Sequence, residues 1–188
     1  MALEKWGPLA GLIGRWESGY DGRDVSFHNA KGKLAETPFR EEATYSPVGP
    51  VGNGDHELYG LNYTTAAFRE GDDSPFHTET GYWMWDAAEQ QVMRCFMMPG
   101  IVTLIAGATV APDAASFTLQ SVTGSNVYGI LSNPHLDRIA KCVRFDVTTT
   151  IGDGIFSYDE TSMIEYQLNT DVIMHTDRNT LTLISRKV

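Results

Sequence analysis

Residues 76–85 read Phe76-His-Thr-Glu-Thr-Gly-Tyr-Trp-Met-Trp85. In an extended chain the side chains alternate with a period of two, so His77, Glu79, Gly81, Trp83 and Trp85 share one face. The other face takes Phe76, Thr78, Thr80, Tyr82 and Met84. Neither face is simply polar, so this is not a strand with one side on a core and one in water. A titratable pair beside two indoles suits the inner wall of a hollow sheet, with apolar surface and a few polar groups.

Working outward from this strand, helical periodicity is nearly absent after the first dozen residues, while short β-favouring runs recur between turn signals. Strands are expected near 15–27, 38–47, 56–69, 76–86, 90–98, 100–110, 115–122, 126–131, 138–151, 155–168 and 179–187. Gly71-Asp-Asp-Ser-Pro75, Asp86-Ala-Ala-Glu89, Pro112-Asp113 and Gly152-Asp-Gly154 supply turns between them. Polar loops are expected at 28–37 and 48–55. The connections are short enough for hairpins, and no crossover helix is available for parallel pairing.

A meander of about ten strands leaves costly edges unless it closes, and a closed ring of more than about eight has an interior that its side chains cannot fill. The expectation is therefore an all-β, closed, antiparallel up-and-down barrel with an internal cavity, formed by residues 1–188 as one domain. One short helix near residues 4–13 would cover a barrel end, where Trp16 acts as a plug.

The chain has 188 residues and a formal net charge of -10, with 14 Lys and Arg against 24 Asp and Glu. That balance repels phosphate backbones and anionic membranes, so neither nucleic acid nor membrane is expected as a partner. The opening MALEKWGPLAGLIGRW carries no secretory pattern and is too short to span a bilayer, which points to the cytoplasm. Cys95 and Cys142 stand alone in strand-like runs and read as buried free thiols.

No nucleophile elbow, zinc-protease helix or phosphate loop is present, and no catalytic residue is assigned. Glu41 and Glu42 alternate across a strand and so point to opposite faces. Met93, Met97 and Met98 form a soft apolar group. His28, His56 and His135 lie beside loops and are expected in solvent.

Four stretches carry a resemblance in the same order along most of the chain: Gly7-Pro-Leu-Ala-Gly-Leu-Ile-Gly-Arg-Trp16, Phe39-Arg-Glu-Glu42, Phe76-His-Thr-Glu-Thr-Gly81 and Met98-Pro-Gly-Ile-Val102. Together they resemble the nitrobindin-type barrels, which are similar in fold to the fatty-acid-binding proteins and lipocalins. The resemblance implies an antiparallel barrel of about ten strands around a mostly apolar cavity. It also implies ferric haem held by one histidine near the C-terminus, with nitric oxide handling or peroxynitrite isomerisation as the activity.

Two departures stand out. Gly14-Arg-Trp-Glu-Ser-Gly-Tyr20 has Ser18 and Tyr20 where the family pattern has glycines. The proximal histidine position, counted back from Arg186, is Asn179, and His175 lies four residues upstream. A carboxamide is a poor iron ligand beside a neutral imidazole, so weak haem binding is expected unless His175 serves as the metal ligand.

The expected ligand-binding residues are His77, Glu79, Trp83, Met98, His175 and Asn179. The function expected is binding of a small apolar or planar ligand. Two rivals stay open: a haem-dependent peroxynitrite isomerase, and a haem-free enzyme using His77 and Glu79, whose pKa values burial would bring toward neutrality. A homodimer is the remaining partner expectation, with Tyr82 and Met84 placed on the barrel exterior and no dimer face assigned.

Overall fold

The computed structural model describes residues 3–28, 32–98, 102–167, 169 and 171–187. After a 3₁₀ segment at Leu3–Leu12 come β1 (Gly14–Glu17), β2 (Gly22–His28), β3 (Lys33–Asn53) and β4 (His56–Phe68). Next are β5 (His77–Asp86), β6 (Gln91–Met97), β7 (Val102–Thr109), β8 (Ser116–Thr123) and β9 (Gly129–Ser132). A short helix α1 (Pro134–Ile139) then leads into β10 (Ala140–Ile151), β11 (Ile155–Tyr166) and β12 (Val172–Ser185).

These twelve strands form one sheet in which neighbours in sequence are mostly neighbours in space, and the pairings β1–β3, β1–β12 and β2–β12 bend it into a ring. β1 and β2 share one place in that ring, since each lies between β12 and β3. They are the two halves of the strand expected over 15–27, broken at residues 18–21. The short β9 is wedged at one end between β7 and β8, and its pairing with β8 is the one parallel pairing among the described residues of an otherwise antiparallel ring.

Alternation sets the two surfaces. β8 reads exposed-buried through its whole length, with Phe117, Leu119 and Ser121 inward, and β6 points Val92, Arg94 and Phe96 inward. Met93 and Met97 therefore belong to the outer face, Met97 being 59% exposed, and the three methionines do not cluster.

One barrel end is closed. The Trp6 indole donates to the Gly60 carbonyl at 2.7 Å and packs edge-on to Tyr59, while the Trp16 indole donates to the Leu12 carbonyl at 2.7 Å. Gly7, at φ 50°, lies so close to Trp85 that a Cβ would meet its indole nitrogen at 2.5 Å. Leu9, Leu12, Trp16, Leu61 and Leu181 are fully buried around this plug. Each such side chain contributes on the order of 1.5–3 kcal/mol.

Several boundaries differ from the expectation. β3 runs through both segments expected as loops: Lys33–Thr37 pairs with β2, and Val48–Asn53 continues against β4 past a register shift and a cis Gly49–Pro50 bond. Residues 29–31 lie outside the described residues. A second helix exists: Asn133 caps α1 by accepting from the amides of His135 and Leu136. His135 is exposed there as expected, whereas His28 lies within β2 and His56 is half-buried and bonded to Asp86 at 3.1 Å. β12 starts seven residues earlier than expected, at Val172, because β11 pairs with it along its full length. No helix among the described residues is long and apolar enough to cross a membrane.

Candidate ligand site in the barrel lumen

Opposite the plug, the lumen opens into a cavity of about 580 Å³. Tyr45, Tyr63, Trp83, Phe96, Phe145 and Phe156 are its aromatic wall. The face of β5 singled out in the sequence does face inward: His77, Glu79 and Trp83 all line the cavity, and Trp85 continues the same face down to the plug. Gly81, between Glu79 and Trp83, lets β5 and β6 approach so closely that a Cβ would lie 2.0 Å from the Cys95 carbonyl. Met98 lines the cavity from the end of β6; the Pro99-Gly-Ile101 part of its motif falls outside the described residues.

His77 and Glu79 are not a pair. Glu79 accepts from Arg94 at 2.7 Å and from the Tyr63 hydroxyl. Arg94 also donates through Nε to Tyr63 at 3.1 Å and reaches across the lumen to Glu160 of β11. Its guanidinium lies 4.7 Å from the Phe96 ring centre and 5.3 Å from that of Trp83. Burial pushes the Glu160 carboxyl up to about 7 despite the pull of Arg94. His77 makes no side-chain hydrogen bond among the described residues, so the acid–base pair expected on β5 is replaced by an ion-pair strut between β6 and β11.

The Asn179 amide is buried in the wall and is not part of the cavity lining. It donates to Glu41 Oε2 at 3.0 Å and to the Ser18 hydroxyl at 3.0 Å, and Tyr158 donates to the same Glu41 oxygen at 2.6 Å. Burial raises the Glu41 carboxyl above its ordinary range, although Thr65, Tyr158 and Asn179 all donate to it. Glu42, one residue on, is half exposed and bonded to Arg40, so the two glutamates do point apart.

His175 lines the cavity from within β12, whereas the strand was expected to begin only at residue 179. Its Nε2 lies 2.9 Å from Asp24 Oδ2 and 3.0 Å from Asp177 Oδ2. Burial alone would depress the imidazole, but the hydrogen bonds to Asp177 and Asp24 outweigh it and raise the group to about 10.

Sequence reasoning missed Arg94, Glu160, Asp24 and Asp177. Alternation offered one signal: Arg94 sits between the inward Val92 and Phe96, a cation on an apolar face. The other three become visible only when β2, β11 and β12 are set side by side.

Residues 5–182 match the family described as the THAP4-like, heme-binding β-barrel domain. The chain belongs to that family. Among solved structures, the crystal structure of Rv2717c from M. tuberculosis is similar to this THAP4-like chain. It shows 19% identity and a TM-score of 0.66 over 96% of this chain and 98% of that one, a likeness in fold. A comparison with curated proteins returns no match.

Haem is the group this family name implies, and the residues of β12 do not fit a histidine-ligated one. Asn179 is turned into the wall with Glu41 and Ser18, and the two carboxylate oxygens within 3.0 Å of the His175 Nε2 occupy the space that a haem iron with its four ring nitrogens needs in front of that atom. The Arg94–Glu160 bridge adds a buried ion pair to the lining of the same cavity.

Proposed function

We propose that this THAP4-like barrel binds a small planar ligand that is not a histidine-ligated haem. The observation that carries the reading is the cavity's combination of aromatic wall with buried donors that lack partners. Among the described residues, the Trp83 indole N–H and the Thr149 hydroxyl have no hydrogen-bond partner, although both side chains line the cavity and are 1% and 0% exposed. Buried donors without partners cost about 1–3 kcal/mol each, a cost that a ligand acceptor atom removes. A flat body between Phe and Tyr rings, with an acceptor directed at these donors, satisfies both features.

A catalytic role for His77 with Glu79 has little support, since Glu79 is fully engaged by Arg94 and Tyr63. Binding, without chemistry, is the reading the geometry favours. Native mass spectrometry of the full chain as purified tests it: a non-haem adduct is expected, with occupancy reduced in Trp83→Phe. A haem adduct with an imidazole-type Soret band would overturn the reading. So would an empty chain that also fails to take up a neutral planar dye.

A further inference from the structure

Three carboxylates stand in one row across neighbouring strands: Glu160 of β11 is opposite Asp177 of β12, and Asp177 is opposite Asp24 of β2. All three line the same cavity. Like charges directly opposite one another in a sheet repel, so such a row persists only with cations set between its members. Arg94 serves the Glu160 end. At the other end, the Nε2 of His175 stands between the two aspartates, and one donor atom from each of the three residues lies within 4.8 Å of the other two.

We propose that Asp24, His175 and Asp177 form a binding site for a first-row divalent metal ion at the mouth of the lumen. Two carboxylate oxygens and one imidazole nitrogen suit Zn²⁺, Co²⁺, Fe²⁺ or Mn²⁺, and the absence of a thiolate from the set disfavours softer ions. The spacing agrees. Ligands about 2.0–2.2 Å from one metal ion lie roughly 3–3.5 Å apart, and Nε2 stands 2.9 and 3.0 Å from the two oxygens. The ion takes the place of the proton that the three groups share, and that proton leaves to solvent.

The surroundings are those of a ligand set. The Ser26 hydroxyl donates to Asp24 Oδ1 at 2.7 Å, which leaves Oδ2 directed at the imidazole. Such an outer partner fixes a ligating carboxylate. Asp24 and Asp177 are directly paired across β2 and β12, and His175 is paired with Ser162 of β11, so the donor atoms are held by the sheet and not by a loop. Three protein donors leave coordination positions free, and all three residues line the cavity.

The full-length chain, freed of metal with a chelator, is titrated with CoCl₂ and then with ZnCl₂. One saturable equivalent of cobalt with visible d–d absorption, displaced by zinc, is the expected result. Asp177→Asn and Asp24→Asn should each weaken cobalt binding by about tenfold or more, and Ser26→Ala should weaken it in the same direction. His135→Ala, on the exposed face of α1, should leave it unchanged. Ser26→Ala keeps the test usable if an aspartate variant does not fold. Absence of saturable cobalt binding in the unmodified chain overturns the proposal, as does binding that folded variants of Asp24, Asp177 and Ser26 leave untouched. Neither outcome bears on whether the aromatic cavity takes a planar ligand.

Discussion

The amide nitrogen of Asn179 lies 3.0 Å from the hydroxyl of Ser18. These are two positions at which the sequence departs from the family pattern, one on the loop after β1 and one on β12, and in the folded chain they touch. Ser18 also accepts from the Glu41 amide at 2.9 Å, so the hydroxyl ties the broken first strand to β3 while holding the Asn179 side chain in the wall. The two departures form one local unit.

Haemin added to the unmodified chain should therefore bind without the spectrum of an imidazole-ligated ferric iron. Asn179→His should produce that spectrum, because it frees the position from Glu41 and supplies a ring nitrogen. Optical titration decides the matter; a histidine-type Soret band in the unmodified protein would contradict the geometry of this wall.

Removal of Arg94 should be among the most destabilising single changes in the lumen. Arg94→Met leaves Glu79 and Glu160 without their cation, a loss on the order of 3–5 kcal/mol for a buried pair broken on one side. Urea denaturation should show part of that loss recovered when Glu79→Gln and Glu160→Gln are added.

The pH dependence follows from Glu160. Its folded pKa, at about 7, lies above the ordinary 4.5, so the carboxyl takes up a proton on folding. Its ionisation carries no folding cost below the lower value, and the cost grows as pH rises until the group is ionised in both states. Denaturation midpoints should fall from pH 5 to pH 8, and Glu160→Gln should flatten that slope. A slope unchanged in the variant would assign it to another group.

His77→Leu should alter folding stability by no more than about 0.5 kcal/mol, as for a side chain without a bonded partner. Thermal melts of the two proteins are the direct comparison. A large drop would mean that the imidazole holds the mouth of β5 in place.

Gly81→Ala should cost about 1–3 kcal/mol, since the added methyl meets the β6 backbone and not a flexible side chain. The melting temperature reports it.

Much of the wall was legible from period-two alternation: the inward face of β5, the plug at Trp16 and the opposed directions of Glu41 and Glu42 all follow from it. What alternation cannot convey is register between strands distant in sequence. Asp24 and Asp177 meet because β2 closes the ring against β12, and nothing local to either residue encodes that meeting. The missed start of β12 has the same origin: Val172–Arg178 runs from three apolar residues to four polar ones without alternation, and its strand form comes from pairing with β11. The break between β1 and β2 was hidden because both halves carry strand-like residues on either side of it.

The ring closes through hydrogen bonds between β1, at residues 15–17, and β12, at residues 182–185. During synthesis the first of these strands leaves the ribosome long before its partner exists. Until β12 arrives, the nascent sheet carries two raw margins, and the lumen's buried charges stand open to water on one side. Closure is therefore a late step governed by contacts of very long sequence separation, the kind of pairing that slows folding.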